Sequence, residues 1–402
     1  MTQGMRISLN NEKAIRAIIM IAIVAFMAFS DRAYPVYAVK VIAIVMLFFL
    51  RKRIRVDFYL IWICLFVGFS ALSILWAPVT EDAVFYTVWA LQAMMLALAI
   101  ENTIDSKADI EYVLKCLFFS GIVLLIRVML RTSLKQLGTF RLGTNMGMNA
   151  NELALKSSIA FISGYYLFRK QKKDAYRILY FAGIALLMMQ VVFTGSRKGS
   201  IMVVSSIFLY AVLRSKTPLN IIRNLLVSVI LGIGFIILIT QVELLYNAVG
   251  RRLSLLLNMF DADAYVGNSI SNRRDFIETG FQLFLEQPFG YGMGSFQTVS
   301  GARIYAHNNY IELLVDVGLI GFAIYYALYI RNIVNLLKIL RKERELLSLL
   351  FSLSVVIMVL EYGLVSFQSD YVQIVLAMIY ASIRIVKKRE RSLGQSLEVK
   401  AE

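Results

Sequence analysis

Twelve apolar stretches of about 16 to 23 residues follow one another along this chain of 402 residues, and each can cross a membrane as an α-helix. Their residues do not alternate between apolar and polar, as the strands of a membrane β-barrel do. Hydrophobic residues make up 59% of the sequence, more than a soluble domain can bury. The sequence therefore predicts an all-α polytopic membrane protein with about twelve transmembrane helices.

Short polar or charged loops separate the predicted spans. The spans cover residues 14–30, 34–50, 58–76, 83–100, 112–130, 152–168, 178–194, 199–213, 221–240, 308–330, 347–365 and 368–385. The basic clusters at 51–53, 169–173, 341–344 and 387–391 all fall on one side, which the positive-inside rule makes cytoplasmic. An even number of spans then places both termini in the cytoplasm.

One segment departs from the pattern of helices joined by short turns. Residues 241–306 form a long extracytoplasmic loop, and its stretches 242–260 and 276–287 have apolar residues at the spacing of amphipathic helices. The predicted organisation is four segments: helices 1–9 in residues 1–240, this loop in 241–306, helices 10–12 in 307–386 and a basic cytoplasmic tail in 387–402. A loop of this length that is not disordered is usually functional.

The formal net charge of +16 does not indicate a nucleic-acid-binding protein. The basic residues are spread along the cytoplasmic edges of the spans and do not gather on one folded face. Cys64 and Cys116 both lie inside predicted spans, where cysteine is a small packing residue. We expect no disulfide, no metal site and no cofactor.

The only histidine, His307, lies where the long loop re-enters the membrane. An imidazole at a membrane boundary is a candidate general base, although a packed interfacial histidine is the simpler interpretation of this residue alone. Arg197 interrupts two apolar spans without a polar loop around it, which is costly at membrane depth unless the charge is paired or hydrated. It either reaches the outer interface or binds an anionic group such as a diphosphate.

Arg273 and Arg274 lie in the long outer loop, where the positive-inside tendency works against arginine. Their partner is either lipid phosphate or a ligand diphosphate. The glycine-rich turn at 288–296, with Gly292 at its centre, is either a tight turn or a place where backbone approaches a ligand closely. The spacing does not match a dinucleotide-binding loop.

Further polar residues are candidates for substrate contacts. Asn149 and Asn151, at the outer start of the sixth span, either cap that helix or bind sugar or phosphate. Glu312 lies four residues before Asp316 on one face of the tenth span, and carboxylates at this depth either pair with basic residues or serve function. Asn308 directly follows the histidine.

The order of these motifs resembles one family, the O-antigen ligase and O-antigen polymerase superfamily. The resemblance covers residues 138–330 and is most specific at the end, from Ala306-His307-Asn308-Asn309-Tyr310 to Gly318-Leu319-Ile320-Gly321. It implies a GT-C-like membrane glycosyltransferase that takes a glycan from an undecaprenyl diphosphate carrier on the outer face of the cytoplasmic membrane. The acceptor is a sugar hydroxyl.

The resemblance also implies roles for individual residues. The membrane arginine of the family falls on Arg197, the loop arginine on Arg273 and the histidine on His307. The family often has an aromatic residue four positions after the loop arginine, where this chain has Ile277, and the adjacent Arg274 remains an alternative. The implied reaction is inverting and metal-independent, with His307 as base and the arginines on the diphosphate. Arg274, Asn149, Asn151, Gly292, Asn308 and Glu312 are assigned to substrate binding.

The resemblance does not separate a polymerase, which joins lipid-linked repeat units of O-antigen, capsule or exopolysaccharide, from a ligase, which moves a glycan to a lipid, wall or protein acceptor. We expect a polymerase. The expected partners are the lipid-linked donor, a glycan acceptor, membrane lipid and a chain-length regulator. A flippase of lipid-linked oligosaccharide is the alternative of another class, although the chain lacks the related halves that many transporters have.

Overall fold

The computed structural model describes residues 2–30, 33–52, 54–133, 141–144, 147–241, 246 and 268–401, and all the regular elements in these ranges are helices. In chain order they are α1 (Thr2–Ala28), α2 (Ala33–Arg51), α3 (Phe58–Leu72), α4 (Thr80–Thr103), α5 (Lys107–Leu130), α6 (Ala150–Lys170), α7 (Asp174–Phe193), α8 (Arg197–Arg214), α9 (Pro218–Gln241), α10 (Asn268–Glu286), α11 (Phe296–Val299), α12 (Asn309–Ile339), α13 (Arg344–Leu360) and α14 (Asp370–Ala401). Short 3₁₀ turns follow α3 at Ser73–Trp76 and α13 at Glu361–Gly363. The predicted all-α fold is confirmed for the described residues.

The chain divides into two compact units. The first unit comprises Met1–Ala43 and Ala108–Val266, and therefore α1, α5 to α9 and the start of α2. The second unit comprises Ile44–Lys107 and Gly267–Glu402, and therefore α3, α4 and α10 to α14.

Close helix packing in the first unit depends on small residues. A Cβ atom on Gly121 would overlap Ala160 of α6, and one on Gly199 would overlap Ala154 of the same helix. Small residues let helix backbones approach closely, which is how helices associate in an environment where lipid is as apolar as the side chains. Phe118 of α5 fills the space left by glycines of α6 and α7. The sequence of this unit therefore fits tight contact among α5, α6, α7 and α8.

Aromatic side chains pack the interior of the second unit. The Trp62 indole of α3 donates a 2.8 Å hydrogen bond to the carbonyl of Ile324 in α12, and its ring lies 6.1 Å from that of Tyr325. The indole thereby joins α3 to α12 by a hydrogen bond as well as by its large apolar surface. The α12 helix is bent at Gly318, whose φ of +62° is not helical.

The helices support a polytopic protein but do not establish the predicted count of twelve membrane spans. Among the described residues, seven helices are long and apolar enough to cross a membrane: Tyr34–Arg51, Phe58–Trp76, Thr80–Thr103, Lys107–Leu130, Asp174–Phe193, Asn309–Ile339 and Arg344–Gly363. The other five predicted spans also overlap helices, namely α1, α6, α8, α9 and α14. The polytopic class is therefore confirmed, and the number of crossings stays a prediction.

The long loop contains a helix where the spacing predicts one, because α10 covers Asn268–Glu286. Its packed face includes Phe276, whereas Phe281 and Leu285 are 49% and 60% exposed. The predicted helix at 242–260 lies outside the described residues, apart from Tyr246. The predicted tail at 387–402 continues the α14 helix as far as Ala401.

Candidate functional site

His307 lies in the last turn before α12, in the second unit, and its backbone is left-handed with a φ of +58°. Positive φ is uncommon in residues other than glycine, although histidine adopts it more often than most, and sparsely populated backbone conformations cluster at functional sites. The half-buried imidazole lies near two rings: that of Tyr305, with centroids 4.1 Å apart, and that of Phe276, 6.5 Å away and nearly parallel. These rings restrict the orientation of the imidazole.

The residues that follow His307 begin α12. The Asn308 side chain accepts hydrogen bonds from the backbone N–H groups of Tyr310 and Ile311, at 2.9 and 3.2 Å, and is therefore the N-cap. Buried Asn309 accepts from the N–H groups of Ser366 and Phe367 and ties the start of α12 to the segment before α14. Asn308 thus has a capping role in the structure, and its predicted contact with substrate stays a prediction.

Glu312 and Asp316 both bind backbone of the long loop. The Glu312 Oε2 atom accepts a hydrogen bond from the N–H of Ala306, the residue before His307. The Asp316 carboxylate accepts from the N–H groups of Gly294, at 2.7 Å, and Phe296, at 3.0 Å. Neither carboxylate forms an ion pair with a basic side chain among the described residues. The sequence left open whether these two carboxylates pair with basic residues. The described residues show no such pair.

The glycine-rich turn packs on the bend in α12. Its Tyr291 and Gly292 N–H groups donate to the carbonyls of Val315 and Asp316, both at 2.8 Å. A Cβ atom on Gly292, which has a φ of +108°, would overlap Ala77. Glycine is therefore favoured at position 292 both by its positive φ and by the close approach of Ala77. Its predicted contact with substrate stays a prediction.

The two loop arginines differ in their surroundings. Arg274 is 82% exposed and forms an ion pair with Glu278 one turn further along α10, and this hydrogen bond raises the pKa of the guanidinium. Arg273 is half-buried and lies three residues before Phe276, so it shares the face of α10 that carries the ring next to His307. The structure therefore favours Arg273 over Arg274 as the arginine on the histidine side of α10.

Arg197 belongs to the first unit, where it is the first residue of α8. Ser196 is the N-cap of that helix, and Gly195 before it has a φ of +60°. Arg197 is half-buried at this break, with Lys198 beside it. The start of a helix carries partial positive charge from its unpaired N–H groups, so this break in the first unit favours anions.

Asn149 and Asn151 have different roles in the first unit. Asn149 is exposed and caps α6 by accepting the N–H of Asn151, at 2.9 Å. The Asn151 Oδ1 atom accepts hydrogen bonds from Arg141, at 2.8 Å, and from Ser196, at 2.9 Å. Asn151 therefore links α6 to the break that precedes Arg197, and the predicted contact of both asparagines with substrate stays untested.

Two arginines that lie near candidate residues of their own unit were missed from the sequence, Arg303 in the second unit and Arg141 in the first. Arg303 is exposed and left-handed, with a φ of +57°, four residues before His307. The argument that singled out Arg273 and Arg274, namely arginine in the outer loop, applies equally to it. Arg141 donates to the Thr194 carbonyl at 3.0 Å as well as to Asn151. No sequence signal marked Arg141, because its partners are far from it in the chain.

A cavity of about 680 Å³ lies in the second unit at the C-terminal end of α4. Charges of its lining pair with one another: Arg51 and Arg55 contact Asp105, and Arg384 lies 3.9 Å from Asp57. Arg384 also contacts the buried Glu101. The segment before His307 contacts the opposite end of this unit, because Gln297 donates a hydrogen bond to Asp82 at the start of α4, so this cavity is separate from the candidate site. Its residues belong to the ends predicted to be cytoplasmic.

Residues 182–326 match the family described as O-antigen ligase. The match contains Arg197, Arg273 and His307, and it begins after Asn149 and Asn151. No curated protein matches the chain. The resemblance to the O-antigen ligase and polymerase superfamily is confirmed over the matched residues, and it supports glycosyl transfer of the ligase or polymerase type.

Proposed function

We propose, on the basis of this match, that the protein is a membrane glycosyltransferase that polymerises oligosaccharide repeat units linked to undecaprenyl diphosphate. The observation that carries the proposal is the conformation of His307. This histidine is left-handed, lies near two aromatic rings and follows a residue whose N–H group is bound by the Glu312 carboxylate, all inside the matched region. Such restraint is what a general base needs in order to meet a hydroxyl in one orientation.

In the proposed reaction, His307 accepts the proton of an acceptor hydroxyl while the oxygen attacks the anomeric carbon of the donor sugar. The bond from that carbon to the diphosphate breaks, and undecaprenyl diphosphate leaves with the bonding electron pair. Arg197 and Arg273 bind the diphosphate and stabilise the charge that develops on it. Attack opposite the leaving group inverts the anomeric centre.

The topology that we propose for this reaction has twelve membrane crossings, both termini in the cytoplasm and the segment 241–306 outside. The start of α12, with His307, then faces the outside of the cytoplasmic membrane. Transfer on that side needs the lipid-linked donor, a glycan acceptor and surrounding lipid. A chain-length regulator is the further partner that we propose. We expect no metal or cofactor requirement, since fixed arginines supply the positive charge.

A ligase is the second candidate, because residues 182–326 match a family described as O-antigen ligase. The donor half of the reaction is the same in both. The two differ in the acceptor, which is another lipid-linked repeat unit for a polymerase and a lipid, wall or protein acceptor for a ligase.

The test is to incubate the purified protein in nanodiscs with the lipid-linked repeat unit alone, with and without EDTA, and to separate the products by gel electrophoresis. A ladder of longer glycans that persists in EDTA and is absent with His307→Ala supports the polymerase. Transfer only after a separate acceptor is added supports the ligase. Donor bound but never transferred, with lipid still reaching the opposite leaflet of proteoliposomes, would support the flippase alternative.

A further inference from the structure

The loop helix α10 runs beside the first turns of α12, in the same direction. Neighbouring residues of the two segments form three pairs, which in chain order are Phe276 with His307, Gly280 with Ile311 and Gly290 with Gly318. The partners advance along both segments together. The C-terminal end of α10 therefore follows α12 away from His307 and towards the bend at Gly318.

The turn after α10 meets α12 in a part that crosses the membrane. Residues 313–330 contain one charged side chain, that of Asp316, and belong to a helix long and apolar enough to span a bilayer. Gly318 lies five residues after the start of this apolar stretch, roughly 8 Å along the helix axis. The C-terminal half of α10 and the glycine-rich turn at 288–296 are therefore level with membrane-spanning turns of α12.

The exposed stripe of α10 changes from charged to apolar along its length. Arg274, Glu278, Phe281 and Leu285 follow one another at intervals of three or four residues, so they lie on one face of the helix. The first two form an ion pair at 2.9 Å. The next two are exposed apolar side chains, and Phe289, just after the helix, is 65% exposed. The stripe therefore becomes apolar at the level at which α12 does.

The backbone of the glycine-rich turn has its partners inside the protein. The Asp316 carboxylate accepts the N–H groups of Gly294 and Phe296, and the Trp76 indole donates a 2.9 Å hydrogen bond to the Gly290 carbonyl. Irregular backbone is tolerated at membrane depth only where it is buried in protein or lines a water-filled cavity. These bonds supply what the turn needs at that depth, and they give a reason for a buried carboxylate within the apolar stretch of α12.

We propose that the C-terminal half of α10 is inserted among membrane lipid, with Phe281, Leu285 and Phe289 against the acyl chains of the leaflet nearer the start of α12. Lipid is the occupant because this stripe continues the exposed apolar surface of a membrane-spanning helix. Leu319 of α12 is 55% exposed and donates its N–H at 2.9 Å to the carbonyl of Pro288, the residue before Phe289. A contiguous exposed apolar surface of this kind marks an interaction site, and the surface that it continues faces lipid.

The rest of α10 fits a helix that lies obliquely in the membrane interface. Gln282 and Glu286 are exposed on the flank next to the apolar stripe, where they reach the lipid headgroups. Phe276 packs on the opposite side, next to His307 and the Phe296 ring. Insertion of α10 therefore holds His307 at the boundary between lipid and water. This inference concerns lipid contact alone and does not depend on the proposed reaction.

The test is spin labelling of the full-length protein in nanodiscs of phosphatidylcholine and phosphatidylglycerol. Single labels are attached to Phe281→Cys and Leu285→Cys after replacement of the exposed Cys64 by alanine. Arg274→Cys, at the charged end of the stripe, and Gln282→Cys, on the polar flank, are the matched controls. All four labelled positions are exposed, so the label replaces no packed side chain.

The readout is the ratio of the collision rates of oxygen and of a nickel chelate with each label. Molecular oxygen is apolar and concentrates in hydrocarbon, whereas the polar chelate stays in water. The ratio should be higher at both stripe positions than at both controls. It should approach the ratio for a label on native Cys64, which is exposed on the membrane-spanning α3. Cys116 is buried and is not labelled.

Stripe labels that meet the nickel chelate as often as the label at position 274 would show that this face lies in water, and the insertion would be wrong. Stripe labels shielded from both reagents would show that protein, such as a second copy of the chain, covers the face, and the lipid contact would be wrong as well. Neither readout needs turnover, so failure of this inference and failure of the proposed function are measured separately.

Discussion

Gly290 and Gly318 meet where the glycine-rich turn docks on α12, and a Cβ atom on either would overlap the backbone of the other segment. Both have positive φ, +82° and +62°. The bend in α12 and the turn before α11 therefore require each other. This contact holds the loop that leads to His307.

Gly290→Ala and Gly318→Ala should each destabilise the protein by about 1–3 kcal/mol or more, from backbone strain together with the steric overlap. The measurement is the thermal unfolding midpoint in detergent. Gly234→Ala is the matched control, because nothing lies within 4 Å of its would-be Cβ and its backbone is helical. If the unfolding midpoint of Gly234→Ala falls as far as those of the two variants, the contact between the turn and α12 does not contribute specifically to stability.

Arg273→Gln should reduce transfer far more than Arg274→Gln. Arg273 lies on the face of α10 that carries Phe276, whereas Arg274 is 82% exposed and paired with Glu278. Comparison of kcat/KM for the donor in the two variants checks this, and Arg273→Lys tests whether the planar guanidinium is needed. Equal losses in both glutamine variants would contradict the distinction.

Asn149→Ala and Asn151→Ala should have different effects, the first on stability and the second on donor binding. The first removes a helix cap and should cost about 1 kcal/mol of stability. The second removes the acceptor shared by Arg141 and Ser196, so we expect a raised donor KM through displacement of the break that precedes Arg197. Thermal unfolding and donor kinetics on both variants separate these effects. A donor KM that rises in Asn149→Ala but not in Asn151→Ala would show that Asn149, and not Asn151, affects donor binding.

Glu361→Leu should be strongly destabilising, and Glu361→Gln less so. The buried carboxylate accepts hydrogen bonds from the hydroxyls of Tyr326 and Tyr329, both at 2.8 Å, and from Ser366. Leucine leaves three buried donors without an acceptor, at about 1–3 kcal/mol each, whereas glutamine keeps one carbonyl oxygen. The thermal unfolding midpoints of the two variants test this order of stability. Wild-type stability of Glu361→Leu would mean that water or other groups replace the carboxylate.

The long apolar segments of this protein could be predicted from the sequence because a helix satisfies its own backbone hydrogen bonds, and a bilayer demands this of every crossing segment. The helices α3, α4, α5, α7, α12 and α13 all overlap predicted spans for this reason. The sole histidine and the unusual arginines were also visible, because charge at membrane depth is rare enough to be noticed without a fold.

Which side chains face one another was decided only by the tertiary structure. The glycine-rich turn indicated a tight turn or a ligand contact, and the fold places the bend of α12 against it. The position of Glu312 in the tenth span predicted an ion pair or a functional role, and in the fold its carboxylate accepts a hydrogen bond from the Ala306 N–H. No sequence pattern indicated the hydrogen bond between Asp82 of α4 and Gln297 of the loop. The two residues are 215 positions apart, and only the packing of α4 against the loop joins them. Local hydrophobicity is sufficient to form a helix in a membrane, whereas the contacts of a site depend on how distant helices pack.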